Sequence, residues 1–469
     1  MKKSLKNPIS LFAALCLIAG LSLAPVKAQA VDYGFNIEIA SNAVLLLSLD
    51  TGEVIYEKNA DVELHPASCT KIMSAALAME LCADLKGTVV TVPEGVWNEF
   101  DGLNVSTAGL VVGEELSMYD LICCMMLQSG NEAASAVRDY FGGQSFIDMM
   151  NAKAAELGCT GTHFSNPHGV FYADHYTTAR DLSIITQWAM SVPGFWEISQ
   201  LARYDKAATN KNEAVTLATT VLMQDPTSYY YTSYIKGIKT GTTDEAGRCL
   251  VSAAQKNGMS FLLVVLGGPF ETDYRVWEQG GNSAFTDTRL IYDWAFENLE
   301  LVNLVDESEA IAEIELKYAR GKDALLVYPD TAVFAVLNKA NTDYTVSYET
   351  ELPESVSAPV ESGQEIGSAA VLLDGREVGE ASLVSRESVT LSRFVMTMDI
   401  IGELLSSTAA KIIYVIIFLI IIFYLWFALV ATRRIKKNKK RRKSAAKAEN
   451  GARSSSGNTS GSSSRKRRR

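Results

Sequence analysis

Histidine, cysteine and basic charge are each scarce in the main body of this chain, and each scarcity narrows its chemistry. Only four histidines occur in 469 residues. His163, His168 and His175 fall near Asp174, and three histidines with a carboxylate form a donor set that zinc accepts. Their spacing lies in a loop that contains proline and glycine, so no metal is expected there. Seven cysteines are present. Cys16 follows Leu15 inside an apolar stretch and does not read as a lipid-attachment cysteine. The remaining six, at 69, 82, 123, 124, 159 and 249, permit disulfides in an exported protein. Cys123 and Cys124 are adjacent in an apolar, helix-like run, so buried free thiols are expected instead. The formal net charge is −11, but the tail from residue 432 carries sixteen basic residues and one acidic. The first thirty residues carry four basic ones, which leaves residues 31–431 at about −30. A body of that sign excludes nucleic acid as its ligand.

The two ends set an expected location. Residues 1–30 combine Lys2, Lys3 and Lys6, an apolar stretch from Ile9 to about Ala24, and Ala28-Gln29-Ala30. Charged region, apolar region and small-residue site together read as a secretory signal peptide. Residues 412–431 carry no charge and are rich in Ile, Phe, Leu and Val. Twenty such residues suffice to cross the hydrocarbon core of a membrane. The basic run from Arg433 to Lys443 then faces the cytoplasm by the positive-inside rule, where it meets anionic lipid or holds topology. Residues 432–469, ending in Ser, Gly and basic residues, are expected to be disordered.

Between the ends, periodicity predicts two kinds of structure. Residues 43–59 alternate around Asp50-Thr51-Gly52, a hairpin signal, and Leu250–Leu266 forms strands around Lys256-Asn257-Gly258. Helices are predicted over Asp181–Met190 and Thr286–Asn298. One large α/β (α+β) domain therefore spans 31–304. Beyond it, short alternating strands near 314–318, 324–328, 331–337 and 344–348, with a turn at Asp374-Gly375, read as a small all-β sandwich over 305–391. Residues 392–411 form an amphipathic connector to the membrane-spanning segment.

The chemistry concentrates in three short segments. Ser68 and Lys71 stand three apart in Pro66-Ala-Ser-Cys-Thr-Lys-Ile-Met73, at the start of a predicted buried helix. A serine becomes a nucleophile when a neighbouring base takes its proton, and a lysine is such a base when burial or nearby positive charge lowers its pKa. The serine N–H at a helix N-terminus is also placed to stabilise an oxyanion. Ser129-Gly130-Asn131 follows the apolar run Leu121–Leu127, and Lys239-Thr240-Gly241 lies within Tyr234–Thr243. Each alone is a common turn or strand edge. In this order and wide spacing the three together are specific.

On these motifs residues 35–300 resemble the low-molecular-weight penicillin-binding proteins that act as serine D-alanyl-D-alanine carboxypeptidases. Phe164-Ser-Asn-Pro-His-Gly169, His175-Tyr-Thr-Thr-Ala-Arg-Asp181 and Gly241-Thr-Thr-Asp-Glu-Ala-Gly247 extend the resemblance. Residues 305–390 resemble the β-rich domain that follows in that family. The resemblance implies a β-lactamase-like catalytic domain and that all-β domain, ahead of the apolar segment read above as membrane-spanning. It implies that Ser68 attacks the penultimate D-Ala carbonyl of peptidoglycan stem peptides and forms an acyl-enzyme, with Lys71 taking the serine proton. Ser129 would relay a proton to the leaving amine, and Asn131 would orient substrate and Lys71. Lys239 would hold the substrate carboxylate on an edge strand Lys239–Thr242. Gly241 would permit close approach there, and the N–H groups of Ser68 and Thr242 would form the oxyanion hole. Thr240 belongs to the same binding strand. β-Lactam antibiotics would acylate Ser68, and no metal or organic cofactor is implied. An arginine after the third motif often binds the substrate carboxylate in this family; Arg248, Arg275 and Arg289 are all open candidates.

Neighbouring readings fit less well. A class A β-lactamase needs Glu-x-x-Leu-Asn for deacylation and an Asp where Gly130 stands, and neither is present. A D,D-endopeptidase, or a membrane-tethered penicillin sensor on the same fold, stays open. Cys69 stands where the family often carries a hydroxyl residue, which would make the site sensitive to oxidation if that thiol were exposed.

Overall fold

The computed structural model describes residues 32–270 and 281–453. The expected signal peptide, Arg275 and residues 454–469 lie outside them. By compactness the chain divides into two units. One comprises residues up to 306 with 331–349 and 370–381, and the other comprises 307–330, 350–369 and the residues from 382 onward.

The first unit is built on a five-stranded antiparallel sheet, β1 (Ala43–Ser48), β2 (Val54–Lys58), β3 (Ile235–Thr243), β4 (Gly247–Lys256) and β5 (Met259–Gly268), in the order β2-β1-β5-β4-β3. The hairpins expected at Asp50–Gly52 and Lys256–Gly258 join β1 to β2 and β4 to β5. Strands β1 and β5 are buried nearly throughout because both sheet faces are covered. Leu45, Leu47, Leu262 and Val264 enter one core, and Val44, Leu46, Leu263 and Val265 enter the other. The first core takes α1 (Lys71–Leu81), α2 (Met118–Leu127), α3 (Asn131–Tyr140), α4 (Gln144–Glu156) and α5 (Ala179–Ser191). The second takes α6 (Ser283–Asn298), through Phe285, Ile291, Tyr292 and Phe296. Helices α1 and α2 are buried around nearly their whole circumference, as their central position requires.

All six cysteines among the described residues are buried and unpaired. Ser117, Thr178 and Asn282 cap α2, α5 and α6 with side-chain oxygens, which fixes where each helix begins. Only β3 among these catalytic-motif elements is a sheet edge, and it carries Lys239, Thr240, Gly241 and Thr242.

The β-rich region contributes a small apolar core to each unit. Leu304, Val305, Val333, Ala335, Val371 and Ala381 cluster in the first. Ile314, Leu316, Leu325, Val327, Val360 and Leu383 cluster in the second. In that second unit the strand Ala312–Lys317 pairs antiparallel with Ala324–Pro329 and parallel with Ser355–Ser357. The amphipathic connector is a helix over Arg393–Ser406, with Phe394, Met398, Leu404 and Leu405 exposed. A second helix, Thr408–Arg453, is long and apolar enough to cross a membrane. It continues through the basic run that was expected to be disordered. Lysine and arginine are good helix formers, and an apolar helix already nucleated ahead of them extends through them at little cost.

Candidate active site

The three motifs converge, and the point of convergence is the amine of Lys71. Pro66 opens a 3₁₀ turn, Ala67–Thr70, that leads into α1 at Lys71. The helix predicted to start near Ser68 therefore starts in this tighter form. Thr70 Oγ1 donates to Ala67 O at 2.8 Å and Cys69 N donates to Pro66 O at 3.1 Å, which closes the turn. Ala67 has φ +47° and Ser129 has φ +59°, left-handed values that non-glycine residues adopt at a cost of about 1–2 kcal/mol each. Ala67 adjoins Ser68, and Ser129 is itself one of the predicted site residues.

Lys71 is fully buried. Its Nζ lies 2.8 Å from Ser68 Oγ, 2.7 Å from Asn131 Oδ1 and 2.7 Å from the carbonyl oxygen of His168. Burial pushes its pKa well below the usual lysine range, and the nearby Lys239 charge pushes it the same way, against Glu132. A neutral amine has two N–H bonds and one lone pair. Asn131 Oδ1 and the His168 carbonyl can only accept, so they take the two hydrogens. The lone pair is left facing the one partner that has a proton to give, Ser68.

Each partner is itself held. The Asn131 side-chain amide donates to Ser106 O at 3.0 Å, and Asn131 N donates to the same carbonyl at 3.0 Å, which fixes Oδ1 toward Lys71. Gly130 N donates to Cys124 O at 3.1 Å. A Cβ on Gly130 would come within 3.1–3.2 Å of Ala108 and Cys124 backbone or side-chain atoms, so a side chain such as Asp is excluded there without a shift. His168 receives Val170 N on Nδ1 at 3.1 Å, so Nε2 carries the proton and faces Glu99 Oε2 at 3.4 Å. Burial lowers the His168 pKa to about 4, so the ring is neutral at pH 7. Glu99, held at about 2 despite burial by His168, Ser135 and Arg138, anchors that ring from behind.

The third motif closes the site. Gly241 lies against the nucleophile turn: a Cβ there would sit 2.7 Å from Pro66 O and 3.1 Å from Ser68 N. Glycine alone lets the edge strand reach the Ser68 N–H. Lys239 is fully buried, and burial lowers its pKa to about 8. Thr240 Oγ1 donates to Thr220 Oγ1 at 2.7 Å, and Thr242 is exposed at the mouth. Ser129 is buried at the joint between α2 and α3. A cavity of about 580 Å³ opens in front of Ser68, walled by Leu103–Ser106, Gly169–Phe171 and Thr242–Glu245.

Three further points bear on the site. Cys69 is fully buried, its thiol donates to Lys239 O at 3.6 Å, and burial pushes its pKa up, so it is not an exposed oxidisable thiol. The ring nitrogens of His175 serve Thr70 Oγ1 at 2.8 Å and Ser165 N at 3.1 Å, and His163 Nδ1 lies 2.5 Å from Asp174 O. These histidines hold the turn and its loop in place. Among the described residues none of them joins a group arranged for a metal. Of the candidate arginines, Arg248 on β4 pairs with Thr242 on β3 and lies over the Phe270 ring, while Arg289 pairs with Asp293 on α6. Sequence reasoning missed the His168 carbonyl, Ser106 and Glu99. The carbonyl has no sequence signal of its own, because every residue carries one; only the flanking Phe164–Gly169 segment marked the place.

Comparison with known proteins fits this geometry. The D-alanyl-D-alanine carboxypeptidase family profile matches residues 27–269. The chain belongs to that family. Residues 299–391 match the C-terminal domain of penicillin-binding protein 5. The D-alanyl-D-alanine carboxypeptidase DacF of Bacillus subtilis is 28% identical over 383 residues, covering 80% of this chain and 93% of DacF. DacC of Escherichia coli is 28% identical over 361 residues, covering 75% of this chain and 84% of DacC. The crystal structure of penicillin binding protein 5 from Haemophilus influenzae superposes with a TM-score of 0.58 at 24% identity, covering 76% of this chain and 99% of its own. Like its relatives in the D-alanyl-D-alanine carboxypeptidase family, the chain is a serine hydrolase with a penicillin-binding-protein fold and an all-β C-terminal domain.

The packing of Gly169 gives a direct test. A Cβ on Gly169 would lie 1.8 Å from Ala67 O, at φ +82°. Gly169→Ala should lower stability by about 3 kcal/mol or more, because both the backbone conformation and the nucleophile turn would have to move. Urea unfolding of the detergent-solubilised chain measures this; an unchanged midpoint would show that the loop does not pack as described.

Proposed function

We propose that this chain removes the terminal D-alanine from peptidoglycan stem peptides through an acyl-enzyme on Ser68. The observation that carries the reading is the placement of Lys71, whose two obligate acceptors leave its lone pair for the serine proton. Ser68 Oγ attacks the penultimate D-Ala carbonyl while its proton passes to Lys71. The oxyanion forms beside the N–H groups of Ser68 and Thr242, which the missing Gly241 side chain allows to approach. The C–N bond breaks as Ser129 delivers a proton to the leaving amine, releasing D-alanine. Water then hydrolyses the ester and restores Ser68. Lys239 and Thr240 receive the substrate carboxylate, and the peptide lies along the exposed edge of β3 as an added strand. Penicillins enter as mimics of the D-Ala-D-Ala end and acylate the same oxygen. Residues 31–411 act outside the cell, one helix within Thr408–Arg453 crosses the membrane, and the basic end remains inside.

Incubating the full chain in detergent with diacetyl-Lys-D-Ala-D-Ala, and separately with benzylpenicillin, tests the reading by mass spectrometry. The expected results are one D-alanine released per peptide and one penicillin adduct on the Ser68 peptide. Ser68→Ala should lose both while keeping its unfolding midpoint; adduct still forming on that variant would overturn the assignment. Adduct without D-alanine release from the unmodified chain would favour a penicillin sensor. Lys71→Ala should slow acylation by at least about 100-fold through loss of the base; an unchanged acylation rate would remove Lys71 from that role.

The two lysines also fix a pH dependence. Lys71 must be neutral to act, so kcat/KM rises as pH climbs through its lowered pKa. Lys239 must be charged to hold a carboxylate, so kcat/KM falls as pH passes about 8. A profile still flat at pH 10 would show that the Lys239 charge is not needed.

A further inference from the structure

One buried charge beside the site has no part in the chemistry above. Glu132 directly follows Asn131 in the first turn of α3 and is completely buried. A carboxylate in that position is expensive unless it is fully hydrogen-bonded, or unless its charge is used. Its Oε1 accepts from Thr107 Oγ1 at 2.7 Å, Ala108 N at 2.7 Å and Leu110 N at 3.3 Å. Its Oε2 has no hydrogen-bond partner. One oxygen thus gathers three donors from a single loop, and the other is buried without a partner.

That loop matters. Residues 103–110 have no regular structure, yet Leu103, Asn104, Val105 and Ser106 wall the cavity in front of Ser68. Ser106 O is the carbonyl that receives both the backbone and side-chain N–H of Asn131. Ala108 is the residue against which Gly130 packs without a side chain. From Glu132 the connection therefore runs through Thr107 and Ala108 to Ser106, to the Asn131 amide, and to Lys71.

We propose that Glu132 is a positioning residue for the Ser68–Lys71 pair. It pins the wall of the substrate cavity, fixes the direction of the Asn131 amide through Ser106, and sets a negative charge next in sequence to the Asn131 that holds the Lys71 amine. The inference rests on the acyl-enzyme reading of Ser68. The charge has a defined job. Lys71 faces Lys239 from β3, Glu132 from α3, Cys69 from its own turn and His168 from the loop after α4. Cys69 is a neutral thiol and His168 a neutral ring, so Glu132 is the only anion in that set. It opposes the Lys239 charge and stabilises Lys71 once the amine has accepted the serine proton.

The test is benzylpenicillin acylation of the full chain in detergent, followed from pH 4 to pH 10, for the unmodified protein, Glu132→Gln and Glu132→Ala. Glu132→Gln keeps an oxygen for the loop and removes the charge. Its optimal acylation rate should stay within about threefold, while the acid limb moves down by about 0.5–1 pH unit, the direction expected when Lys71 loses the Glu132 charge. Glu132→Ala also releases the loop and should acylate at least about tenfold more slowly, with Glu132→Gln recovering most of that loss. A purely structural glutamate predicts no movement of the limb. An unmoved limb in Glu132→Gln, or a normal rate in folded Glu132→Ala, would overturn the proposal. If Glu132→Ala does not fold, the limb of Glu132→Gln still decides. Absence of acylation in the unmodified chain would instead count against the Ser68 reading.

Discussion

The burial of Lys71 is the constraint from which the rest of the site follows. An ammonium taken out of water without a paired anion is strongly disfavoured, so the amine is driven toward its neutral form. Neutrality makes it a base, but only if its lone pair points somewhere useful. Two fixed acceptors, a side-chain oxygen of Asn131 and a main-chain oxygen of His168, decide that direction. The same burial would be self-defeating if the amine could not hold a proton even briefly. Lys239 pushes the amine further toward neutrality, and Glu132 opposes that push.

Holding those acceptors in place requires loops to be as rigid as secondary structure. Asn131 begins a helix, but its amide takes its direction from a loop carbonyl, Ser106. His168 lies in a loop, and its ring is tied to Glu99, which Arg138 holds in turn. Gly169 lets that loop touch the main chain of the nucleophile turn, and Gly241 lets the edge strand touch it from the other side. The turn is thus gripped at Ala67 and Ser68 by two glycines from distant parts of the sequence. Left-handed Ala67 and Ser129 are tolerable under that grip because the helices and strands around them are apolar and closely packed.

Much of this could be read from the sequence, for identifiable reasons. Ser68, Lys71, Ser129, Asn131 and Lys239 carry distinctive side chains at distinctive spacings, and the hairpins at Asp50–Gly52 and Lys256–Gly258 have turn residues that admit few alternatives. Helices α5 and α6 showed their periodicity, and their starts moved back to follow the caps Thr178 and Asn282. Other features had no signal to read. The His168 carbonyl is generic, and the loop 103–110 has neither periodicity nor punctuation that reveals which way it faces. The 3₁₀ form of the turn at Ser68 depends on His175 and Gly169, more than ninety residues away. Within residues 432–453 the composition misled: a segment rich in basic residues, with Ser and Gly following, argued for disorder, while the preceding apolar helix supplied a nucleus that composition does not count.

The burial of Lys239 completes the logic. A surface lysine would hold a substrate carboxylate weakly, because water and salt would screen it. A buried lysine holds it strongly but sits close to losing its own charge, and burial brings its pKa to about 8. Its charge is also one of the two influences that lower Lys71. An arriving carboxylate would neutralise that charge, and the push on Lys71 would relax just as the serine proton is to be accepted. In the proposed function, substrate binding and base strength would then be coupled through one buried cation. The coupling needs Lys239 on the edge strand and Lys71 on the helix to be neighbours in a dry site, and the shared packing of Gly241 against the Ser68 turn makes them so.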